Sequence, residues 1–105
     1  MKHVLLIPTH GPMQVRVVYS QTDIEDLMES QLLEFWDYHL GGFQAVWLHN
    51  ADEDEAVNMR ATVLCEDHGR DPSNPPLHGP VVLKGVTIDG DWIDVPPNIV
   101  VECLT

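Results

Sequence analysis

Two cysteines and two histidines are the side chains of this sequence best suited to bind a metal. Cys65 and His68 are separated by two residues, and His78 and Cys103 follow further along the chain. Thiolate and imidazole are the ligands of structural zinc sites, so these four would form one if the fold brought them together. However, Cys65 falls on the apolar face of a predicted helix, which fits a buried thiol, and His68 near its end suits the helix dipole. We therefore predict no metal site and no cofactor. Free thiols fit a reducing compartment, and a Cys65–Cys103 disulfide is the alternative.

Carboxylates are so numerous that a pair suited to acid–base catalysis could be chosen almost anywhere. Asp89 and Asp91 flank a glycine and could coordinate a hard cation, but the fuller EF-hand pattern is absent. Asp-Gly between two β-prone runs is instead typical of a hairpin turn. The sequence lacks a nucleophile elbow, a phosphate-binding glycine loop and a dinucleotide fingerprint. We predict no catalytic residues and a protein that is not an enzyme; a metal-dependent enzyme acting on a small ligand is the least favoured alternative.

The balance of charges indicates what kind of partner to expect. The chain has 17 acidic and 5 basic residues among 105, a formal net charge of −12. Proteins bind phosphate backbones through clusters of Lys and Arg, and the basic residues here are scattered. The sequence therefore argues against direct nucleic-acid binding. It favours a basic protein partner, or a charge that serves only solubility.

Length and hydropathy predict a single α+β domain spanning residues 1–105. An apolar fraction of 44% is too high for a disordered acidic tail. The apolar run at residues 4–7 is too short for a signal peptide or a membrane span, so we expect a cytoplasmic protein without a membrane partner.

Apolar periodicity predicts the element order β-β-α-β-α-β-β-β. A long helix is predicted from residue 22 to residue 41, because Thr22 and Glu25 fit a capping box and Gly41-Gly42 fits a C-terminal cap. A short helix is predicted over residues 57–68. The predicted strands cover residues 4–7, 15–19, 43–48, 81–88, 91–95 and 99–104. This order is best satisfied by a largely antiparallel sheet of about five to six strands, covered by one long and one short helix.

Three segments resemble a known family of small proteins. Residues 38–46 (Tyr-His-Leu-Gly-Gly-Phe-Gln-Ala-Val) resemble the helix end, double glycine and strand of the family designated domain of unknown function 3846. Residues 58–62 (Asn-Met-Arg-Ala-Thr) and 77–85 (Leu-His-Gly-Pro-Val-Val-Leu-Lys-Gly) resemble its second half. The resemblance covers most of the chain, but residues 52–55 are acidic where the family often has an Asn-Glu-Gly turn. It implies a phage or mobile-element setting, and it provides no catalytic residues.

The acidic residues are concentrated in two tracts, with six in residues 23–37 and four in residues 52–55. At about 100° per residue, four acids of the first tract share an arc of roughly 80° on the predicted long helix, turned away from its apolar face. This acidic stripe consists of Asp23, Asp26, Glu34 and Asp37. Leu33 and Trp36 project beside this stripe. Carboxylates spaced like phosphates, with an apolar anchor, would suit the basic groove of a DNA-binding protein, although a solvated helix face looks the same.

These patterns predict a small acidic, non-catalytic binding protein, encoded by a phage or mobile element, that acts by protein–protein interaction. Its partner would be a still unidentified basic, nucleic-acid-binding protein of the host or its defences, inhibited by DNA mimicry. The alternative is a homo-oligomeric accessory protein in which Leu33 and Trp36 pack in a homodimer interface. The predicted partner-binding residues are Asp23, Asp26, Glu34, Asp37, Leu33, Trp36, Asp52, Glu53, Asp54 and Glu55.

Overall fold

The computed structural model describes residues 1–37, 42–49 and 55–104. They form a six-stranded sheet with the strand order β2-β1-β5-β4-β3, in which β6 pairs with the end of β5. Every pairing is antiparallel, which confirms the α+β class and the predicted type of sheet. The strands are β1 (Lys2–Ile7), β2 (Gln14–Val18), β3 (Leu33–Asp37), β4 (Gly42–Leu48), β5 (Val81–Val86) and β6 (Trp92–Ile93). The helices are α1 (Gln21–Met28), α2 (Met59–Asp67) and α3 (Pro97–Leu104).

The sheet separates two apolar clusters. Successive side chains of a strand point to opposite faces, so Val4 and Leu5 of β1 enter different clusters. The larger cluster combines residues of β1, β4 and β5 with residues of α2 and α3, including Cys65 and Ile99. The smaller cluster lies beneath α1 and contains Ile24 and Met28. Strand β4 is buried on both faces between β3 and β5, as its apolar sequence predicts.

The prediction of one long helix is wrong, because α1 ends at Met28. Glu29 adopts the left-handed conformation (φ 57°), and its N–H donates to the Asp26 carbonyl at 3.2 Å. The Ser30 N–H donates to the Glu25 carbonyl at 3.1 Å, which closes the helix. Residues 33–37 then form β3, because their apolar side chains pack in register against β4. The cap uses a glutamate in place of the usual glycine, so the sequence gives no stop signal there.

The predicted last strand is also wrong, because residues 97–104 form helix α3. The Pro96 carbonyl accepts the first helical hydrogen bonds, from Ile99 and Val100 at 3.0 and 3.2 Å. Pro97 occupies the first helical position, where proline is favourable because the N–H that it lacks would have no partner there. Ile99 and Cys103, four residues apart, both pack on the larger cluster. This burial outweighs the strand preference of the β-branched run at residues 99–101.

Asn58 joins three parts of the chain through hydrogen bonds in the protein interior. It is fully buried, and its side-chain Nδ2 donates to the carbonyls of Ile7 at 2.9 Å and Gly79 at 2.8 Å. Its Oδ1 accepts the Ala61 N–H at 3.1 Å and caps α2. The hydroxyl of buried Thr62 donates to the Asn58 carbonyl at 2.8 Å. One amide side chain therefore fixes the end of β1, the start of α2 and the segment that leads into β5.

Replacing Asn58 with alanine should remove the helix cap and leave the carbonyls of Ile7 and Gly79 buried without a donor. A lost cap costs about 1 kcal/mol, and each unsatisfied buried group costs about 1–3 kcal/mol. We expect Asn58→Ala to lower the free energy of unfolding by about 3–7 kcal/mol in urea denaturation. Asn98→Ala, at an exposed position, is the control and should change it by less than about 0.5 kcal/mol. Equal effects of the two substitutions would contradict this account of Asn58.

The substitution Glu29→Gly tests whether α1 ends at Met28 or continues as the predicted long helix, because the free energy of unfolding should change in opposite directions in the two cases. A non-glycine residue in the left-handed conformation costs about 1–2 kcal/mol, so glycine should raise the free energy of unfolding by about 1 kcal/mol. Inside a continuous helix the same substitution would lower it by about 1 kcal/mol. Glu29→Gln controls for the lost charge and should give no comparable gain. Urea denaturation of the three proteins provides the measurement.

Candidate protein-interaction surface

The predicted acidic stripe is divided between two elements, because α1 ends before Glu34. Asp23 lies in the first turn of α1, where its Oδ2 accepts the backbone N–H groups of Tyr19 at 2.6 Å and Ser20 at 3.1 Å. Its carboxylate therefore caps the helix, with Ser20 and Asp23 in the roles predicted for Thr22 and Glu25. Asp26 is exposed on the same helix. The four carboxylates of the predicted stripe therefore do not form a row on one helix.

Glu34 and Asp37 lie on β3, where each is held by a side chain of the β4 segment. Glu34 accepts the indole N–H of Trp47 at 2.9 Å and contacts the ring Nδ1 of His49 at 3.2 Å. Asp37 accepts a hydrogen bond from Gln44 Nε2 at 2.7 Å. Both carboxylates are exposed. They are therefore fixed in position and still accessible, since each ionised carboxylate has about four acceptor sites.

The apolar side chains around β3 differ in exposure from the expectation. Leu33 and Trp36, predicted beside the stripe, are half-buried and pack on the two clusters. The Trp36 ring meets Phe43 edge-on, with ring centroids 6.0 Å apart. By contrast, Leu32 is 67% exposed and Phe35 is 49% exposed. At about 100° per residue, the predicted long helix would place Phe35 on its apolar, core-facing side. Strand alternation at residues 33–37 was the signal that could have revealed its exposure.

Strand β3 lies at the end of the sheet order and, in the described part of the chain, pairs only with β4. An edge strand presents unpaired backbone N–H and C=O groups along its outer side. Charged side chains on such a strand discourage uncontrolled pairing. We call Leu32, Glu34, Phe35 and Asp37 the β3 edge surface. It combines exposed apolar groups, fixed carboxylates and open backbone groups.

The basic residues leave the negative charge of the surface unneutralised. Arg16 donates to the side-chain oxygen of Gln14, Arg60 to the Pro8 carbonyl, and Arg70 to the Pro75 carbonyl. The Lys84 ammonium lies 4.6 Å from the centre of the Trp92 ring. Within residues 1–37, 42–49 and 55–104, the carboxylate ion pairs within 4.0 Å all involve histidine, and none involves Lys or Arg.

The second acidic tract falls largely outside the described residues. Asp52, Glu53 and Asp54 belong to the segment that the structure does not describe. Glu55 is exposed, and its backbone carbonyl accepts a hydrogen bond from His78 Nδ1 at 2.8 Å. The tract therefore contributes one placed carboxylate.

The four candidate zinc ligands have other contacts. His68 Nε2 lies 3.1 Å from a Glu102 carboxylate oxygen, and the His68 ring meets Phe43 edge-on at 5.5 Å. Both cysteines are free thiols; Cys65 is buried and Cys103 is half-buried. Desolvation raises the pKa of Cys65 to about 12, which opposes the thiolate that metal binding requires. Among the described residues, no three His, Cys, Asp or Glu side chains are arranged to hold a metal ion.

Thr87 closes the predicted hairpin after β5, and Asp94 ties the segment after it to β1. The Gly90 N–H donates to the Thr87 carbonyl at 2.9 Å, and the Asp91 N–H donates to the Thr87 hydroxyl at 3.0 Å. Asp94 Oδ1 accepts the His3 N–H at 2.8 Å, a bond that lowers the pKa of Asp94. Gly85 is required opposite this segment, since a Cβ there would lie 2.0 Å from the Asp94 carbonyl oxygen.

Comparison with known proteins assigns no relative. No family model, no curated protein and no solved structure matches this chain. The resemblance in residues 38–46, 58–62 and 77–85 therefore stays a prediction. Within the described residues, no helix has the length and apolar character needed to cross a membrane.

Cys65 should make the protein sensitive to alkaline pH. Between pH 9 and 12 the folded protein keeps the thiol proton that the unfolded chain has lost, so stability falls as pH rises. From pH 8 to pH 10.5 this contribution amounts to a loss of about 2 kcal/mol. Urea denaturation at both values should show this extra loss in wild type and in Cys103→Ala. Cys65→Ala should show only a smaller loss, because burial also raises the pKa of Cys103. Parallel pH profiles of wild type and Cys65→Ala would contradict the prediction.

Proposed function

We propose that this chain is a small acidic, non-catalytic binding protein that engages a basic protein segment through the β3 edge surface. The observation that carries the proposal is the pairing of an open sheet edge with exposed Phe35 and two fixed carboxylates. A solvated acidic face alone would not need the exposed aromatic ring. Large apolar side chains at interfaces supply the central anchor around which polar contacts are arranged.

The geometry of β3 suits the addition of an extended strand from the partner. In such a complex, main-chain hydrogen bonds provide affinity, and side chains at alternate positions provide specificity. Glu34 and Asp37 lie on opposite faces of the sheet, since they are three residues apart on a strand. A partner strand with basic side chains on both of its faces could therefore meet both carboxylates. Phe35, on the same face as Asp37, would cover an apolar residue of that strand.

The charge distribution supports a basic partner over a neutral one. The net charge of −12 is not offset by Lys–carboxylate or Arg–carboxylate pairs among the described residues. Such a field speeds the association of an oppositely charged protein and weakens as salt screens it. Proteins that bind nucleic acids carry basic surfaces of this kind.

The partner class that we propose is a basic nucleic-acid-binding protein of the host or of its defences. The resemblance of residues 38–46, 58–62 and 77–85 is the support for our proposal of a phage or mobile-element origin, and hence of action in the host cytoplasm. The inhibition would mimic DNA through the total negative charge and the β3 edge surface, since the acids do not form one row on a single helix.

Binding to the partner should depend on the β3 edge surface and on salt. After the partner has been identified by cross-linking and mass spectrometry, its Kd is measured by interferometry at low and high salt. Phe35→Ser, and separately the double variant Glu34→Lys/Asp37→Lys, should each weaken binding by about tenfold or more. Asp67→Lys/Asp89→Lys makes the same charge change at exposed positions elsewhere and should have a much smaller effect. Salt-insensitive binding, or equal losses in the two double variants, would refute the proposal.

A homo-oligomer is the second candidate, and the opposite edge of the sheet favours it. Strand β2 carries Arg16 between Val15 and Val17, which are 43% and 47% exposed. The β2 edge of one copy could pair with the acidic β3 edge of another, in a head-to-tail arrangement that need not close. Light scattering separates the candidates. Self-association that Phe35→Ser abolishes, without a basic partner, would replace the first proposal by the second.

A further inference from the structure

A depression of about 150 Å³ lies on the same face of the sheet as α1. The strand register explains its composition, because Asp37 pairs with Gln44, and Gln44 pairs with Lys84. These three side chains form one row across β3, β4 and β5. Gly42, which pairs with Val86, has no side chain to fill the space beside the row. Thr87 and Ile88 of the hairpin provide the far wall.

The two charges of this row are held apart. Asp37 accepts a hydrogen bond from Gln44, and the Lys84 ammonium lies over the Trp92 ring. Neighbouring strands are about 4.8 Å apart, so two strand spacings separate the Asp37 and Lys84 backbones by about 10 Å. Partial burial lowers the pKa of Lys84, and the Asp37 carboxylate is near enough to offset part of that shift. The described residues supply no ion pair to Lys84 within 4.0 Å.

We propose that this depression binds a small zwitterion of the α-amino acid type. The ligand carboxylate meets the Lys84 ammonium, and the ligand ammonium meets Asp37 and the side-chain oxygen of Gln44. The ligand side chain contacts Val86 and Ile88. A simple anion would face Asp37 and the net charge of −12, and a simple cation would face Lys84. A molecule that carries both a carboxylate and an ammonium group can pair with Lys84 at one end of the row and with Asp37 at the other.

The size of the depression agrees with such a ligand. Sites for drug-sized molecules occupy roughly 300–1,000 Å³, so 150 Å³ is suited to a smaller molecule. The lining also combines a few convergent polar groups with apolar walls, as small-molecule sites do. The site lies on a sheet, which holds the three polar side chains at fixed spacing.

The indole N–H signals of the tryptophans report on binding in proton–nitrogen NMR spectra. Trp92 lies beside the depression, whereas Trp36 and Trp47 lie on the opposite face of the sheet and serve as internal controls. L-Leucine is the probe, with N-acetyl-L-leucine and L-leucinamide as analogues that each lack one charge. We expect leucine to shift the Trp92 signal saturably at concentrations up to about 10 mM. Each analogue should bind about tenfold more weakly or worse.

Substitution of the two lysines provides the matched test. Lys84→Met should abolish the Trp92 response to leucine, and Lys2→Met, which removes the same charge outside the depression, should retain it. Unchanged Trp36 and Trp47 signals verify that Lys84→Met is folded. No saturable shift with leucine, an equally strong response to N-acetyl-leucine, or a response that survives in Lys84→Met would overturn the proposal. The test uses no protein partner, so its result does not depend on the proposed function.

Discussion

The fold depends on one buried amide, the side chain of Asn58. Its Nδ2 satisfies two carbonyls, in β1 and in the segment before β5, and its Oδ1 caps α2. A buried polar group without a hydrogen-bond partner destabilises the fold. Both polar atoms of the Asn58 side chain have partners, and so do the carbonyls of Ile7 and Gly79. The same bonds determine where α2 crosses the sheet, because they attach its first turn to the end of β1. Strands β4 and β5 lie in the inner part of the sheet, and α2 lies between them in the sequence. The Asn58 hydrogen bonds therefore fix the position of this connection, while the apolar clusters provide most of the buried surface.

The second constraint is the distribution of charge between the interior and the surface. Arg70 is buried, donates to the Pro75 carbonyl and lies 5.9 Å from the centre of the Trp47 ring. Lys84 is held over Trp92 in a similar way. Burying a carboxylate to pair with these cations would require desolvating a second charge, and the indole faces avoid that cost. As a result the carboxylates stay at the surface, where they determine the long-range field that a partner meets.

The sequence predicts strands β1, β2, β4 and β5 and the short helix α2 well, because their patterns agree with their packing. Strand β4 is apolar on both faces and is internal, and the Asp-Gly turn after β5 is a hairpin. The errors lie where burial outweighs a local pattern. Residues 33–37 have apolar spacing compatible with a helix, yet they pair with β4, and residues 99–101 have β-branched side chains in a helix. The left-handed Glu29 that ends α1 has no sequence signal, since glycine or asparagine usually occupies such a position.

The candidate site was predictable in composition but not in geometry. Glu34 and Asp37 were selected from the sequence, but their importance follows from the cross-strand contacts to Trp47 and Gln44, which no helical projection contains. Because residues 33–37 form a strand and not a helix, Trp36 is half-buried against the larger cluster, and Phe35 is exposed at the surface.

Asp37 borders both proposed sites, the β3 edge surface and the depression around Lys84. A zwitterion has no net charge, so its binding would leave the long-range field that attracts a basic partner unchanged. Its effect would be local, since its ammonium would occupy acceptor sites of Asp37 that a basic side chain of the partner could otherwise use. Any coupling between the two sites must therefore act through this one carboxylate, on the stability of the bound complex more than on the rate of encounter.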